Sequence, residues 1–123
     1  MSDIKPVVKY YSKDEFILVK EPPRTTLEDL SYEVEEAIKL IRLHNCRKVL
    51  VDSTEVNSYP GMFELTKFAK DLTSRPEMKN IRFAVVPRKM SLQVKFVAGL
   101  TAKRGFRFRV FENIENAKDS LLS

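Results

Sequence analysis

KVLVD, residues 48–52, is a short run of apolar residues that ends in an acid. Consecutive valine and leucine over so few residues are typical of a central strand of a parallel sheet, because both faces of such a strand are covered. Ser53 and Thr54 follow, and the turn-forming pair Pro60-Gly61 comes a few residues later. The stretch therefore predicts a buried strand whose carboxyl end leads into a polar loop.

Helical periodicity lies on both sides of this strand. Before it, apolar residues recur at intervals of three and four and predict a long helix over 26–44. Thr25 and Glu28 have the spacing of a capping box at its start, and Asn45 is suited to end it. After the strand, residues 61–73 repeat the helical pattern. The stripe of the first helix consists of Leu27, Leu30, Val34, Ala37, Ile38 and Ile41.

The remaining elements are inferred in the same way. Two β-rich runs separated by SKDE predict a hairpin near the start of the chain. Two further runs predict strands, and two more apolar patterns predict helices, one from Ser91 to Gly105 and one capped by Asn113. The predicted strands in these regions are 7–11, 16–20, 81–86 and 106–111.

The predicted order is β-β-α-β-α-β-α-β-α, in one domain over residues 1–123. Alternating strands and helices imply right-handed crossovers and a mostly parallel sheet, with the first strand antiparallel. We therefore predict an α/β sandwich with a five-stranded mixed sheet and four helices.

Four segments carry a family resemblance: RKVLVDSTEV (47–56), FELTKFAKDL (63–72), RFAVV (82–86) and RGFRFRVFENIENA (104–117). On these patterns the chain resembles the SpoIIAA-like (STAS/SEC14-like) domains, which are related to anti-sigma-factor antagonists. The resemblance implies a SpoIIAA-like sandwich. It also implies a non-catalytic cytoplasmic binding or regulatory module.

The loop after the central strand departs from the pattern of that family. The antagonists carry an Asp-Ser-Ser-Gly-like stretch there, and its serine is phosphorylated. Here the loop reads NSYPGMF, residues 57–63, in which Ser58 is the only serine and no Asp precedes it. This departure from the family pattern argues against a phosphorylation switch in the loop, and phosphorylation of Ser58 stays an open question.

Composition excludes several classes of protein. A hydrophobic fraction of 43% with 32% charged residues is typical of a globular protein. No apolar run approaches the roughly 20 residues of a membrane helix. The start, MSDIKPVVKY, lacks the apolar stretch of a signal peptide, and Cys46 is the only cysteine. We therefore expect a cytoplasmic protein without a membrane association.

The formal net charge of +5 raises the question of nucleic acid. The 22 basic residues are interleaved with 17 acids, and the densest basic cluster is KRGFRFR, residues 103–109. Nucleic-acid binders usually concentrate their basic residues on one helix or stripe. The pattern favours a solvated surface instead.

The residues that a catalytic or metal site would need are too far apart in this sequence or too few. His44 and Asp52 flank a strand roughly 16 Å long, which excludes a Ser-His-Asp triad with the only histidine. His44 and Cys46 alone cannot complete a zinc site. The strand 7–11 holds no acid that could complete a phosphoaspartate site at Asp52. The expectation is a protein that is not an enzyme and uses no cofactor or metal.

The carboxyl edge of the sheet is where open α/β folds bind ligands. Asp52, Ser53 and Thr54 follow the hydrophobic part of the central strand. The first interpretation of their short polar side chains is that they hydrogen-bond the backbone of a tight turn. The alternative is a small-anion or ligand-binding domain, conceivably catalytic, around Asp52 and Arg88. Arg24, Arg88 and Lys89 are its anion-binding candidates, since helix N-termini should converge there. The whole edge is predicted to hold Arg24, Asp52, Ser53, Thr54, Glu55, Asn57, Ser58, Tyr59, Arg88, Lys89, Glu112 and Asn113.

A partner surface is predicted at the start of the second helix. Met62 and Phe63 point about 100° apart on a helix, and the buried stripe continues from Met62. Phe63 should then lie at the rim, with Tyr59 and Ser58 beside it. Because aromatic side chains anchor many interfaces, we expect a protein partner or a second copy of the chain to bind there.

Overall fold

The computed structural model describes residues 4–123. It contains five strands and four α-helices in the predicted order, with one added 3₁₀ turn at Pro76–Met78. The strands are β1 (Val7–Tyr11), β2 (Phe16–Lys20), β3 (Lys48–Ser53), β4 (Arg82–Pro87) and β5 (Arg107–Val110). The helices are α1 (Leu27–His44), α2 (Met62–Ser74), α3 (Leu92–Lys103) and α4 (Ile114–Leu122).

The five strands form one mixed sheet in the order β1-β2-β3-β4-β5. β1 pairs antiparallel with β2, and the other neighbours pair in parallel. The predictions of a five-stranded mixed sheet, an antiparallel first strand and a central β3 are therefore confirmed.

Three helices cover one face of the sheet and a single helix covers the other. Ile17, Val19 and Val49 point toward the face of α1, α2 and α3, where the largest apolar cluster lies. Leu50 and Val86 point the other way and pack against α4. Successive residues of a strand face opposite sides, so each strand of the centre contributes to both clusters.

The helix ends follow the predictions with one shift. Asn45 ends α1 in the left-handed conformation (φ 51°), and Ser91 and Asn113 cap α3 and α4. The capping box of α1 was predicted one residue too early, since it is formed by Thr26 with Asp29. Thr25 is not free to cap, because it is buried and its hydroxyl donates to the carbonyl of Pro22 at 2.9 Å.

The pairing of β2 with β3 continues past the end of β2. Lys20 lies opposite Asp52, and the backbone N–H of Glu21 donates to the carbonyl of Asp52 at 3.0 Å. Glu21 and Ser53 therefore come next in the same register, on the face covered by α1, α2 and α3. This juxtaposition places two polar side chains under the helices.

None of the helices within residues 4–123 is both long enough and apolar enough to pass through a lipid bilayer.

Candidate functional site

A cavity of about 100 Å³ lies between the sheet and the three helices that cover it. Most of its wall is apolar, with side chains from β2, β3 and β4 below and from α1, α2 and α3 above. The apolar residues that line it are Val19, Leu30, Val34, Ala37, Val49, Val51, Leu65, Phe68, Leu72, Met78, Phe83, Val85, Val94, Val97 and Phe108.

Polar side chains line the same cavity near the carboxyl end of the sheet. Glu21 follows β2, Ser53 ends β3, and Glu33 projects from the first half of α1. Tyr59 comes from the loop before α2, and Gln93 from the start of α3. The cavity thus has an apolar body and one polar end, which is the usual composition of a small-molecule site.

The two glutamates of this polar end are withdrawn from solvent. Glu21 and Glu33 each keep only 6% of their surface exposed. The hydroxyl of Ser53 donates to Oε1 of Glu21 at 2.5 Å. Oε2 of Glu33 is fully buried and accepts no hydrogen bond from any N–H or hydroxyl within residues 4–123. Its polar neighbour is the carboxyl group of Glu21.

The environment favours retention of a proton by this pair. Burial raises the pKa of Glu33, and the nearby Glu21 raises it further. Burial also raises the pKa of Glu21, against the hydrogen bonds from Glu33 and Ser53 that lower it. Two desolvated carboxyl groups in contact cannot both ionise at neutral pH, so they share a proton and carry at most one negative charge.

The other charged groups that act on the pair are also acids. Asp29, from the first turn of α1, raises the pKa of both glutamates, and Asp52 raises that of Glu21. No Lys, Arg or His lines the cavity in the part of the chain that the structure describes. The site is therefore electronegative, although the whole protein carries a net charge of +5.

Tyr59 belongs to this cavity and not to an exposed patch. It is half-buried, and burial followed by the charge of Glu21 raises the pKa of its phenol to about 12. Its phenol also interacts with the hydroxyl of Ser53. The prediction that Tyr59 lies exposed beside Phe63 was wrong, because the loop turns its ring inward under the helices.

Phe63 is exposed, as predicted, with 75% of its surface accessible. Its ring lies 5.1 Å from Nζ of Lys67, one helical turn further along α2. The prediction that the buried stripe of α2 begins at Met62 was wrong, because Met62 lies in the first turn and is 42% exposed, and Leu92 at the start of α3 is 76% exposed. Ser58 is exposed as well. Whether a partner binds these residues stays a prediction.

The three basic candidates lie on the surface and do not line the cavity. Arg24 forms a single parallel β-bridge with Ser58, and Arg88 and Lys89 follow β4. All three are exposed, and within residues 4–123 none of them takes part in a salt bridge. An anion-binding role for these three residues stays a prediction.

The polar residues at the end of β3 and in the turn after it have different roles. Asp52 accepts hydrogen bonds from the backbone N–H of Thr54 at 3.0 Å and from its hydroxyl at 2.6 Å. This is the turn chemistry predicted for Asp52 and Thr54. The same prediction was wrong for Ser53, whose side chain points to the cavity and binds Glu21.

Glu21 and Glu33 were not predicted as site residues, although the position of each carries a signal in the sequence. Glu33 lies three residues from Leu30 and four from Ala37, so it interrupts the apolar stripe of α1. Glu21 lies two residues after Val19 and continues its face of β2. An acid at an otherwise apolar position is a candidate for a buried functional group.

A metal site is not indicated by the described side chains. Within residues 4–123 no three His, Cys, Asp or Glu residues are grouped so that they could hold an ion. His44 lies at the opposite end of the sheet, where its ring stacks on that of Tyr10 with centroids 3.7 Å apart.

Comparison with known proteins supports the fold. No family model matches the sequence, and no curated protein matches it. The structure is similar to that of an uncharacterized protein of the DUF3478 family from Shewanella loihica PV-4, which has a SpoIIAA-like fold. The match covers 98% of both chains, with a TM-score of 0.62 and 19% sequence identity.

The fold is SpoIIAA-like. This confirms the fold that the sequence resemblance implied.

Proposed function

We propose that this protein is a non-catalytic binding module of the STAS-like type that takes a small, largely apolar molecule into the cavity. The observation that carries the proposal is the buried carboxyl group of Glu33 at the polar end of an apolar cavity. An apolar cavity with hydrogen-bonding side chains at one end is the usual composition of a site for a small molecule that carries one polar group.

The size of the cavity limits the molecule. A cavity of about 150 Å³ in another protein is known to bind benzene. At about 100 Å³ the present cavity suits a molecule of similar or smaller size. Half-buried Tyr59 and Gln93 line its polar end, where a ligand would enter by side-chain movement.

The proposal places the module in the cytoplasm. The supporting observation is a single, buried cysteine with a free thiol, Cys46, which suits a reducing compartment.

Binding of the neutral probes benzene and 1-butanol tests the proposal. In two-dimensional amide NMR spectra of the labelled protein, we expect shifts at residues that line the cavity, such as Val34, Val51 and Val97. Ala37→Leu fills part of the cavity and should abolish these shifts. Ala102→Leu makes the same change at an exposed position of α3 and should leave them unchanged.

The control for folding is the wild-type-like dispersion of the spectrum of each variant. If overpacking unfolds Ala37→Leu, Val34→Ile adds a single methyl group and should weaken binding. Absence of shifts with both probes, or shifts that neither cavity variant reduces, would overturn the proposed function.

A further inference from the structure

A second concave region lies on the other face of the sheet from the cavity. On this face α4 packs mainly over β3 and β4, whereas β5 is the edge strand of the sheet. Beside the last turn of α4 this arrangement leaves a cleft of about 380 Å³ over β4 and β5. Small-molecule sites usually occupy about 300–1,000 Å³, so the cleft is large enough to hold a ligand.

Three arginines lie on this face because of strand alternation and register. Phe83 of β4 pairs with Phe108 of β5, and their rings pack on the face of α1, α2 and α3. The residues next to them in each strand therefore face α4. Those that line the cleft include Arg82 on β4 and Arg107 and Arg109 on β5. Neighbouring strands are about 5 Å apart and alternate residues of one strand about 7 Å apart, so the three side chains start close together.

No carboxylate neutralises these three cations. Among residues 4–123 no Asp or Glu lines the cleft, and none of the three arginines takes part in a salt bridge. Arg42 and Arg75, elsewhere on the surface, each pair with a glutamate. Three guanidinium groups in one cleft produce a local positive potential that attracts an anion.

Two of the three guanidinium groups are held in place by their neighbours. Nη2 of Arg82 donates to the carbonyl of Ser120, in the last turn of α4, at 2.6 Å. Cζ of Arg109 lies 5.3 Å from the centroid of the Phe111 ring, which packs against the apolar cluster under α4. Side chains that are already positioned lose less conformational entropy when a ligand binds.

From the three unpaired arginines, the volume of the cleft and its apolar wall at Phe111 and Leu121, we propose that this cleft binds a small phosphate monoester with an apolar organic group. Near neutral pH such a phosphate carries a charge of about −1.5 to −2 and has three acceptor oxygens. Guanidinium groups bind phosphate oxygens in pairs. A carboxylate offers fewer oxygens and a single charge, so it matches three arginines less well.

Phenyl phosphate, benzoate and oligothymidylate test the ligand class, because they present a phosphate monoester, a carboxylate on the same ring and a nucleic-acid strand. Each is titrated at about pH 7.5, above the second pKa of a phosphate monoester near about 6. Amide NMR shifts report on the cleft at Ala84, Ser120 and Leu121. We expect phenyl phosphate to bind about tenfold more tightly than benzoate, because it accepts more charge-assisted hydrogen bonds.

The double variant Arg107→Gln/Arg109→Gln should weaken phenyl phosphate binding at least tenfold. Both residues are exposed at the sheet edge, so the variant should keep the wild-type spectrum. Arg107→Lys/Arg109→Lys keeps the charges but removes the planar donor pairs, and its affinity should lie between those of the wild type and the glutamine variant. Wild-type affinity in the glutamine variant would overturn the proposal.

The matched control is Lys70→Gln/Lys95→Gln, which removes two exposed positive charges from helices on the other face of the sheet. It should leave phenyl phosphate binding unchanged within about twofold. An equal loss in the control would show general attraction to a basic protein and would overturn the proposal.

Three further outcomes would also overturn the proposal: equal binding of phenyl phosphate and benzoate, tighter binding of oligothymidylate, or shifts confined to the loop of Arg88 and Lys89. The cavity of the proposed function lies on the other face of the sheet, so Ala37→Leu should not change the affinity for phenyl phosphate. Failure of one proposal therefore leaves the other standing.

Discussion

The carboxyl end of the sheet holds two regions of opposite charge and opposite access to water. The buried acidic end of the cavity is formed by Glu21, Glu33 and Ser53. The exposed basic edge carries Arg24, Arg88 and Lys89. Glu21 of the first region and Arg24 of the second both follow β2, so chain position alone does not separate the two regions.

The two regions differ in the free energy that each charge costs the folded protein. Water solvates the arginines and the lysine, so their presence has little effect on stability and demands no partner. The two glutamates have lost most of their water, so they need a proton, a donor or a cation to be tolerated. The buried region is therefore the more informative about function.

The largest expected effect is on the pH dependence of stability. Above the ordinary glutamate pKa of about 4.3, the unfolded chain has lost protons that the folded pair still holds. The native state then binds more protons, so the free energy of unfolding falls as the pH rises. With one retained proton, we expect a fall of about 1.4 kcal/mol per pH unit above about pH 5.

Urea unfolding of the wild type and of Glu33→Gln between pH 5 and 8 measures this slope. The variant should show a shallower slope and higher stability at pH 8. Glu28→Gln, exposed on the same helix, should keep the slope of the wild type. Equal slopes for wild type and Glu33→Gln would contradict the expected difference between the cost of the buried charges and that of the exposed ones.

A second effect concerns the hydroxyl that supports the acidic pair. Ser53→Ala deletes the donor 2.5 Å from Oε1 of Glu21. Leaving a buried oxygen without its donor should lower the free energy of unfolding by about 1–3 kcal/mol. Ser58→Ala, at an exposed position of the following loop, should change it by less than about 0.5 kcal/mol. Similar losses in the two variants would contradict the buried hydrogen bond.

A third, smaller effect is expected at Phe63. Phe63→Lys removes the contact with Lys67 and should lower the free energy of unfolding by about 0.5 kcal/mol, as for exposed cation–π pairs.

Light scattering over a concentration series of the same variant tests the partner prediction. If the wild type dimerises through this surface, the variant should be monomeric. Because Tyr59 lines the cavity, it is left unchanged, and a dimer that persists in the variant would exclude Phe63 as its anchor.

The smallest effect on stability is expected at the exposed basic edge. Arg88→Ala should change the free energy of unfolding by less than about 0.5 kcal/mol. It should weaken the binding of phosphate and sulfate, which we expect to be weak and sensitive to salt. Titration with both anions checks this. Unchanged binding would argue for another site.

The fold could be predicted from the sequence because each element carries its own local signal. The stripe of α1, the continuous apolar run of β3 and the left-handed end at Asn45 depend on near neighbours in the chain. Alternation of strands and helices then restricts the topology to parallel pairing with right-handed crossovers. The capping box of α1 moved by one residue, because Thr25 had a closer partner in Pro22, and several strand and helix ends moved by one or two residues.

The site depended on contacts that no local pattern contains. Glu21 and Ser53 are 32 residues apart, and the register of β2 with β3 places them side by side. Tyr59 was assigned to the surface because its loop is polar, yet the chain direction after β3 turns its ring inward. Whether a residue is buried depends on which helix packs over it, and local sequence patterns do not contain that information.

By itself, the sequence of this protein determined the order of its elements and the central position of β3, since these follow from periodicity and turn chemistry. Tertiary structure alone decided that two glutamates from different elements meet without water at the end of an apolar cavity. The physical reason is that the cost of a charge depends on its surroundings, and only the packing of α1, α2 and α3 over the sheet defines those surroundings.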